Sequence, residues 1–269
     1  MKQIILFYLL CISTNIAFGG VDTVQVYSEA MDQTIPNLVI TPKDYTEQND
    51  ELPVTYLLHG AGGYFSNWFF RVPEIEQYAT DYNIIIVCPD GDKTSWYIDS
   101  PIDSTSQYES YITRELVPAI DQKYRTIKQK NGRAITGLSM GGHGAFYLAF
   151  RHQDIWGAAG SMSGGVNIIP FAEEWNMDEI LGPYHQFKKN WEDHTVINLI
   201  HLLNGDLKII FDCGTEDFFA DVNKELHEKL VIEGIPHEYT VRPGKHNWDY
   251  WRNSIKYHLL YFDDFFGRN

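Results

Sequence analysis

The 269-residue chain predicts an α/β fold: a mostly parallel, eight-stranded sheet with helices on both faces and an insertion near residues 166–203. Three observations carry this reading. Short apolar runs alternate with stretches of helical period, the rhythm of parallel strands joined by crossover helices. Two of those runs, Pro53–His59 and Ile84–Val87, stop at turn residues, His-Gly-Ala-Gly-Gly and Pro-Asp-Gly. The stretch Arg133–Arg151, RAITGLSMGGHGAFYLAFR, passes from strand to tight turn to helix without a break.

Taken in order, residues 1–19 read as a secretory signal. Lys2 supplies a charge, Ile4–Leu10 is unbroken and apolar, and Ala17-Phe18-Gly19 offers small residues for cleavage. This predicts a secreted or periplasmic protein with one catalytic domain over 20–269. So short an apolar run cannot span a bilayer. Cys11 behind Leu9-Leu10 is a poor lipidation site, so no stable membrane anchor is expected. The chain carries 36 acidic against 21 basic residues, a net charge of -15, and loss of Lys2 with the signal makes it one unit more negative. Such a surface is not held by nucleic acid or anionic membrane through its charge. Cys88 and Cys213 close apolar runs and are expected as buried free thiols, with no disulfide or metal spacing.

Val21–Val26 alternates and Ile35–Thr41 forms a second extended run, separated from Pro53–His59 by the polar turn Asp44–Glu51. Pro73–Tyr82 predicts a short helix before the strand Ile84–Val87. Gln107–Tyr124 carries a clean helical stripe, with a kink expected at Pro118. Ala158–Met162 is a further strand. From Val166 to Leu203 the rhythm is lost among Trp175, Tyr184, Phe187 and Trp191, which reads as a lid or substrate wall, or as a packed helical excursion. Leu207–Asp212 resumes the sheet. Asp221–Glu233 is a helix, His237–Arg242 a last strand and His246–Phe262 a closing amphipathic helix. Sites in such sheets lie at the carboxyl ends of the strands.

Gly137-Leu138-Ser139-Met140-Gly141 is a G-x-S-x-G turn between strand and helix, the context of a nucleophilic serine. The glycines permit a strained backbone at Ser139 and close packing around it. A serine needs a base, and the base needs an orienting acid. His246, in Pro-Gly-Lys-His-Asn-Trp after the last strand, is the candidate base. His59 lies in the glycine loop and His143 on the helix behind Ser139, and both have weaker claims. The acid falls among Asp217, Asp212 and Glu216, in that order, because Asp217 lies furthest into the loop beyond its strand. The amides of Ala61 and Met140 are candidate oxyanion donors, Ala61 by position in the glycine loop. Trp96, Tyr97, Trp175 and Trp248 are candidate exposed aromatics, and the three tryptophans candidate substrate contacts.

TYLLHGAGG, GLSMGGHGA, DCGTEDFF and HEYTVRPGKHNWDYW together resemble the esterase D family, over essentially the whole mature chain. That family includes feruloyl esterases, acetyl-type carbohydrate esterases, S-formylglutathione hydrolases, siderophore esterases and mycolyltransferases. The resemblance implies an α/β-hydrolase fold, a Ser139–Asp217–His246 triad, oxyanion amides at Ala61 and Met140, and chemistry that requires no metal or organic cofactor. The expected activity is hydrolysis of feruloyl- or acetyl-type esters on plant poly- or oligosaccharides. The alternatives are an S-formylglutathione hydrolase-type thioesterase, a siderophore esterase, an acyltransferase and a catalytically silent sugar-binding relative.

Overall fold

The computed structural model describes residues 20–267, so the signal-like segment 1–19 and Cys11 lie outside the described residues. The strands are β1 (Val21–Ser28), β2 (Gln33–Ile40), β3 (Val54–Leu58), β4 (Ile85–Pro89), β5 (Arg133–Gly137), β6 (Ala158–Met162), β7 (Lys208–Gly214) and β8 (Glu238–Arg242). They join in one sheet, in the order β1-β2-β4-β3-β5-β6-β7-β8. β2 is antiparallel to both β1 and β4, and every other neighbouring pair is parallel. The expected mostly parallel eight-stranded sheet is the one that forms.

The helices are α1 (Asn67–Arg71), α2 (Ile75–Asp81), α3 (Tyr108–Ser110), α4 (Val117–Lys123), α5 (Met140–Arg151), α6 (Asp178–Leu181), α7 (Lys188–His194), α8 (Ala220–Ile232) and α9 (Trp248–Phe265). Strand residues of alternating parity point to opposite faces, and both faces are covered. Val54, Tyr56, Ile85, Val87 and Ile135 pack on one side with residues of α4, α5 and α8. Leu57, Ile86 and Cys88 pack on the other with Trp68, Ile75, Trp251 and Ile255 from α1, α2 and α9. This explains why the central strands read as continuous apolar runs. Cys88 and Cys213 are buried and free.

The helix expected over Gln107–Tyr124 is built in three parts, α3, a π-helical stretch Tyr111–Leu116, and α4. Pro118 sits in the first turn of α4 and has no N–H to donate, and the N–H of Val117 bonds back five residues to the carbonyl of Ile112. A widened turn thus stands where a kink was expected. Residues 166–203 contain no strand. They hold α6, α7 and short 3-10 turns, with Met177, Leu181, Trp191 and Val196 buried in the core. No helix among the described residues is long and apolar enough to cross a membrane.

Glu109 ties this layer to α5. Its carboxylate accepts bonds from Tyr147 Oη (2.9 Å), Arg151 Nε (2.8 Å) and His152 Nε2 (2.7 Å). Burial pushes the carboxyl up, but the bonds from His152, Arg151 and Tyr147 outweigh it and hold it at about 2. A folded value below the unfolded one stabilises the protein above the unfolded value and loses that effect as the pH falls towards the folded one. Glu109→Gln should therefore lower unfolding stability by about 3 kcal/mol at neutral pH. In urea titrations the gap should close as the pH falls from 4.5 towards 2. A gap independent of pH would show that the charge of Glu109 has no such role.

Candidate active site

β5 ends at Gly137 and α5 begins at Met140, so only Leu138 and Ser139 make the turn. Ser139 has φ 55° and ψ −119°, a left-handed backbone that a side-chain-bearing residue holds only under constraint. The constraint is a close approach of backbones. A Cβ on Gly141 would stand 2.5 Å from the His59 carbonyl oxygen and 2.6 Å from that of Leu58, and one on Gly137 would stand 2.5 Å from the Gly141 oxygen. The N–H of Ser139 is meanwhile fixed to the Met162 carbonyl at 2.9 Å.

His246 lies in the loop between β8 and α9. Asn247 caps that helix, its side-chain oxygen accepting from the Tyr250 N–H at 3.1 Å, which holds the histidine at the helix entrance. His246 Nε2 is 2.9 Å from Ser139 Oγ, and Nδ1 is 2.9 and 3.0 Å from the two oxygens of Asp217. A carboxylate can only accept, so Nδ1 carries the proton and Nε2 turns its lone pair to the serine hydroxyl. Asp217 is fully covered and also accepts from the Phe219 N–H at 2.9 Å. Phe218 lies 4.2 Å from the imidazole, centre to centre, and Trp251 meets it edge-on at 4.9 Å.

The other two acid candidates are engaged elsewhere. Asp212, still within β7, accepts from Ser254 Oγ and from His258 Nε2 at 3.0 Å, and forms an ion pair with Arg242 at 3.3 Å. Burial pushes its carboxyl up, and these partners more than offset that and hold it below the usual range. Glu216 is exposed and pairs with Lys245 at 3.6 Å. Of the three carboxylates, only Asp217 reaches His246.

The glycine loop after β3 is braced by buried side chains. The N–H of Gly91 donates to His59 Nε2 at 2.9 Å, so the proton is on Nδ1, which donates to the Gly60 carbonyl at 2.9 Å. Burial lowers the pKa of His59 and favours this neutral form. Ala61 lies on the cleft wall. Met140 opens α5, where first-turn amides have no intrahelical acceptor. Among the described residues neither amide donates to a protein acceptor.

Ser139 and His246 open into a cleft of about 750 Å³ whose walls include Tyr64, Trp175, Phe218, Trp248 and Trp251. Trp175 and Trp248, both half-buried, are on the wall of this cleft. Trp96 and Tyr97 are not: both are buried, and Trp96 packs behind Trp175 at 5.7 Å and against His143 at 5.3 Å. Large rings gain by filling the core, and these two sit at φ 53° and 59° in a turn that carries them inward. The cleft also holds Phe218, Arg71 and Lys93, which the motifs did not single out. Phe218 was legible only as the neighbour of Asp217. Among the described residues no group of three histidine, cysteine or acidic side chains is placed to hold a metal ion.

A serine, an imidazole and a carboxylate in one hydrogen-bonded row, at the carboxyl edge of a mostly parallel sheet, is the arrangement of an α/β hydrolase. Residues 28–262 match the family described as Putative esterase, and the chain belongs to it. The chain is 28% identical over 235 residues to an esterase of Mycobacterium tuberculosis, in an alignment covering 77% of this chain and 51% of the relative, so it spans about half the length of that protein. It is 23% identical to an acetyl esterase of Caldicellulosiruptor saccharolyticus, over 86% of this chain and 94% of that one. Among solved structures, a ferulic acid esterase superposes with a TM-score of 0.79 at 27% identity, covering 93% of this chain and 100% of the other.

The two buried aspartates should separate cleanly under substitution. Asp217→Asn should keep the thermal midpoint and lose roughly ten-thousand-fold in ester hydrolysis, because an amide neither stabilises an imidazolium nor fixes the tautomer. Asp212→Asn should instead lose about 3–5 kcal/mol of unfolding stability, since its removal strands buried partners. Paired calorimetry and initial rates check both, and a reversed pattern would move the acid role to Asp212.

Proposed function

We propose that the protein is a secreted serine carboxylesterase that removes feruloyl- or acetyl-type ester substituents from plant poly- or oligosaccharides. The observation that carries this reading is the Ser139–His246–Asp217 row at the floor of an aromatic cleft. In the proposed mechanism Ser139 Oγ attacks the ester carbonyl as His246 Nε2 takes its proton, and Asp217 stabilises the imidazolium. The amides of Ala61 and Met140 receive the oxyanion, a contribution of about 3 kcal/mol per donor in comparable sites. His246 then protonates the departing alcohol, leaving an acyl-enzyme. Water, deprotonated by the same imidazole, attacks that ester, and its collapse returns Ser139 and releases the acid.

The substrate class draws support from the ferulic acid esterase and acetyl esterase likenesses, and from aromatic walls that suit a phenolic ring or a sugar face. The signal-like N-terminus supports export. Two measurements test the reading. An active-site phosphonate should label the wild type and leave Ser139→Ala unlabelled, and equal labelling of both would remove Ser139 from the nucleophile role. In a side-by-side panel, a feruloylated or acetylated sugar should show a higher kcat/KM than S-formylglutathione. The reverse order would turn the substrate assignment towards glutathione thioesters while leaving the triad in place.

A further inference from the structure

The chain carries 36 acidic against 21 basic residues, yet its cleft has the opposite sign. Among the described residues Arg71 and Lys93 both line it, and no aspartate or glutamate does. Asp217 stands behind His246 with its carboxylate covered. Among the described residues neither cation joins an ion pair. The Arg71 guanidinium lies 6.0 Å over the ring of Trp248, which also lines the cleft. Lys93 is held from the backbone side, its carbonyl accepting the Gly62 N–H at 2.8 Å, so its position is tied to the glycine loop. Its acidic sequence neighbours turn elsewhere. Asp90 accepts the N–H groups of Phe65 and Asp92, and Asp92 lies on a different surface hollow with Met31 and Tyr108.

We infer that this cleft selects esters that carry a carboxylate, through Arg71 and Lys93. The inference rests on the esterase reading above and narrows its substrate. A net negative protein repels anions at long range, so two exposed cations with no ion-pair partner on the cleft wall let an anionic ester gain rather than lose energy beside Ser139. Trp248 under Arg71 offers a flat apolar face beside a charge, which suits a ring bearing a carboxylate at its edge. The carboxylate can belong to the acyl part or to the alcohol part of the ester, and matched substrate pairs distinguish the two.

The acyl pair is 4-nitrophenyl hemiglutarate against 4-nitrophenyl pentanoate. The alcohol pair is an acetylated methyl glucuronoside against the acetylated methyl glucoside. In one pair the wild type should favour the anionic member by roughly three- to tenfold at low salt, chiefly through KM, the size expected of exposed charge pairs. The preference should shrink in about 0.5 M NaCl, where screening is short-ranged. Arg71→Gln with Lys93→Gln should cost more on the anionic member than on the neutral one, and Arg71→Lys should restore most of Arg71's share, which separates charge from packing on Trp248. A ratio at or below one in both pairs, or one that the double substitution leaves unchanged, would overturn the inference. Binding of the same four esters to Ser139→Ala, read from the fluorescence of the cleft tryptophans, reports charge preference without turnover. Absence of turnover would thus count against the esterase reading, whereas equal affinity for charged and neutral members would count against this one.

Discussion

The site depends on one contact between backbones, where the start of α5 lies against the end of β3. Gly141 approaches the carbonyl oxygens of Leu58 and His59 so closely that any side chain there would displace the strand. With both ends of the turn pinned, Ser139 is left the left-handed conformation in which it is found. The same contact brings the loop that carries Ala61 beside the first amides of the helix. Strain in the turn is offset by the burial of α5, whose residues from Met140 to Phe150 are enclosed in the core.

A second set of buried polar groups fixes the opposite side of the site. His258 on α9 bonds Asp212 of β7 through one nitrogen and Thr136 of β5 through the other, at 3.0 and 2.8 Å, and Ser254 joins the same carboxylate. This clamps α9 to the two strands whose following loops carry Ser139 and Asp217. Because His246 immediately precedes α9, seating that helix also sets where its imidazole can lie. The two aspartates of the β7 region therefore divide the work by depth. Asp212 is within the strand and holds the helix through its Oδ2, while Asp217 is past the strand end and turns towards the histidine.

Above this frame the cleft is assembled from pieces remote in sequence. Tyr64 and Arg71 come from the segment after β3, Lys93 from that after β4, Trp175 from the insertion, Phe218 from the loop that carries Asp217, and Trp248 from the first turn of α9. The insertion contributes Trp175 to the wall and otherwise packs into the core, so it serves both as a helical excursion and, at one residue, as part of the cleft. The aromatic wall of the cleft and its two cations stand against a chain that is acidic as a whole.

The amino-acid sequence alone determined the layered sheet, since burial on both faces leaves unbroken apolar runs and crossover helices leave a regular spacing between them. It also marked the serine turn, because a residue held between two close backbones demands glycines at fixed positions. His246 was legible from chain order and its place after the last strand. Which carboxylate faces that histidine was decided only by the tertiary structure. Asp212, Glu216 and Asp217 differ by a few residues along a strand end, and the direction each side chain takes depends on where α9 and the β8 loop lie across from it. The same limit applies to the tryptophans. Composition does not tell an exposed ring from a buried one, and Trp96 was drawn inward by a left-handed turn that no local periodicity signals. Arg71 and Lys93 left no mark in sequence, because their meaning comes from meeting in one cleft without a negative partner, a property of three-dimensional proximity alone.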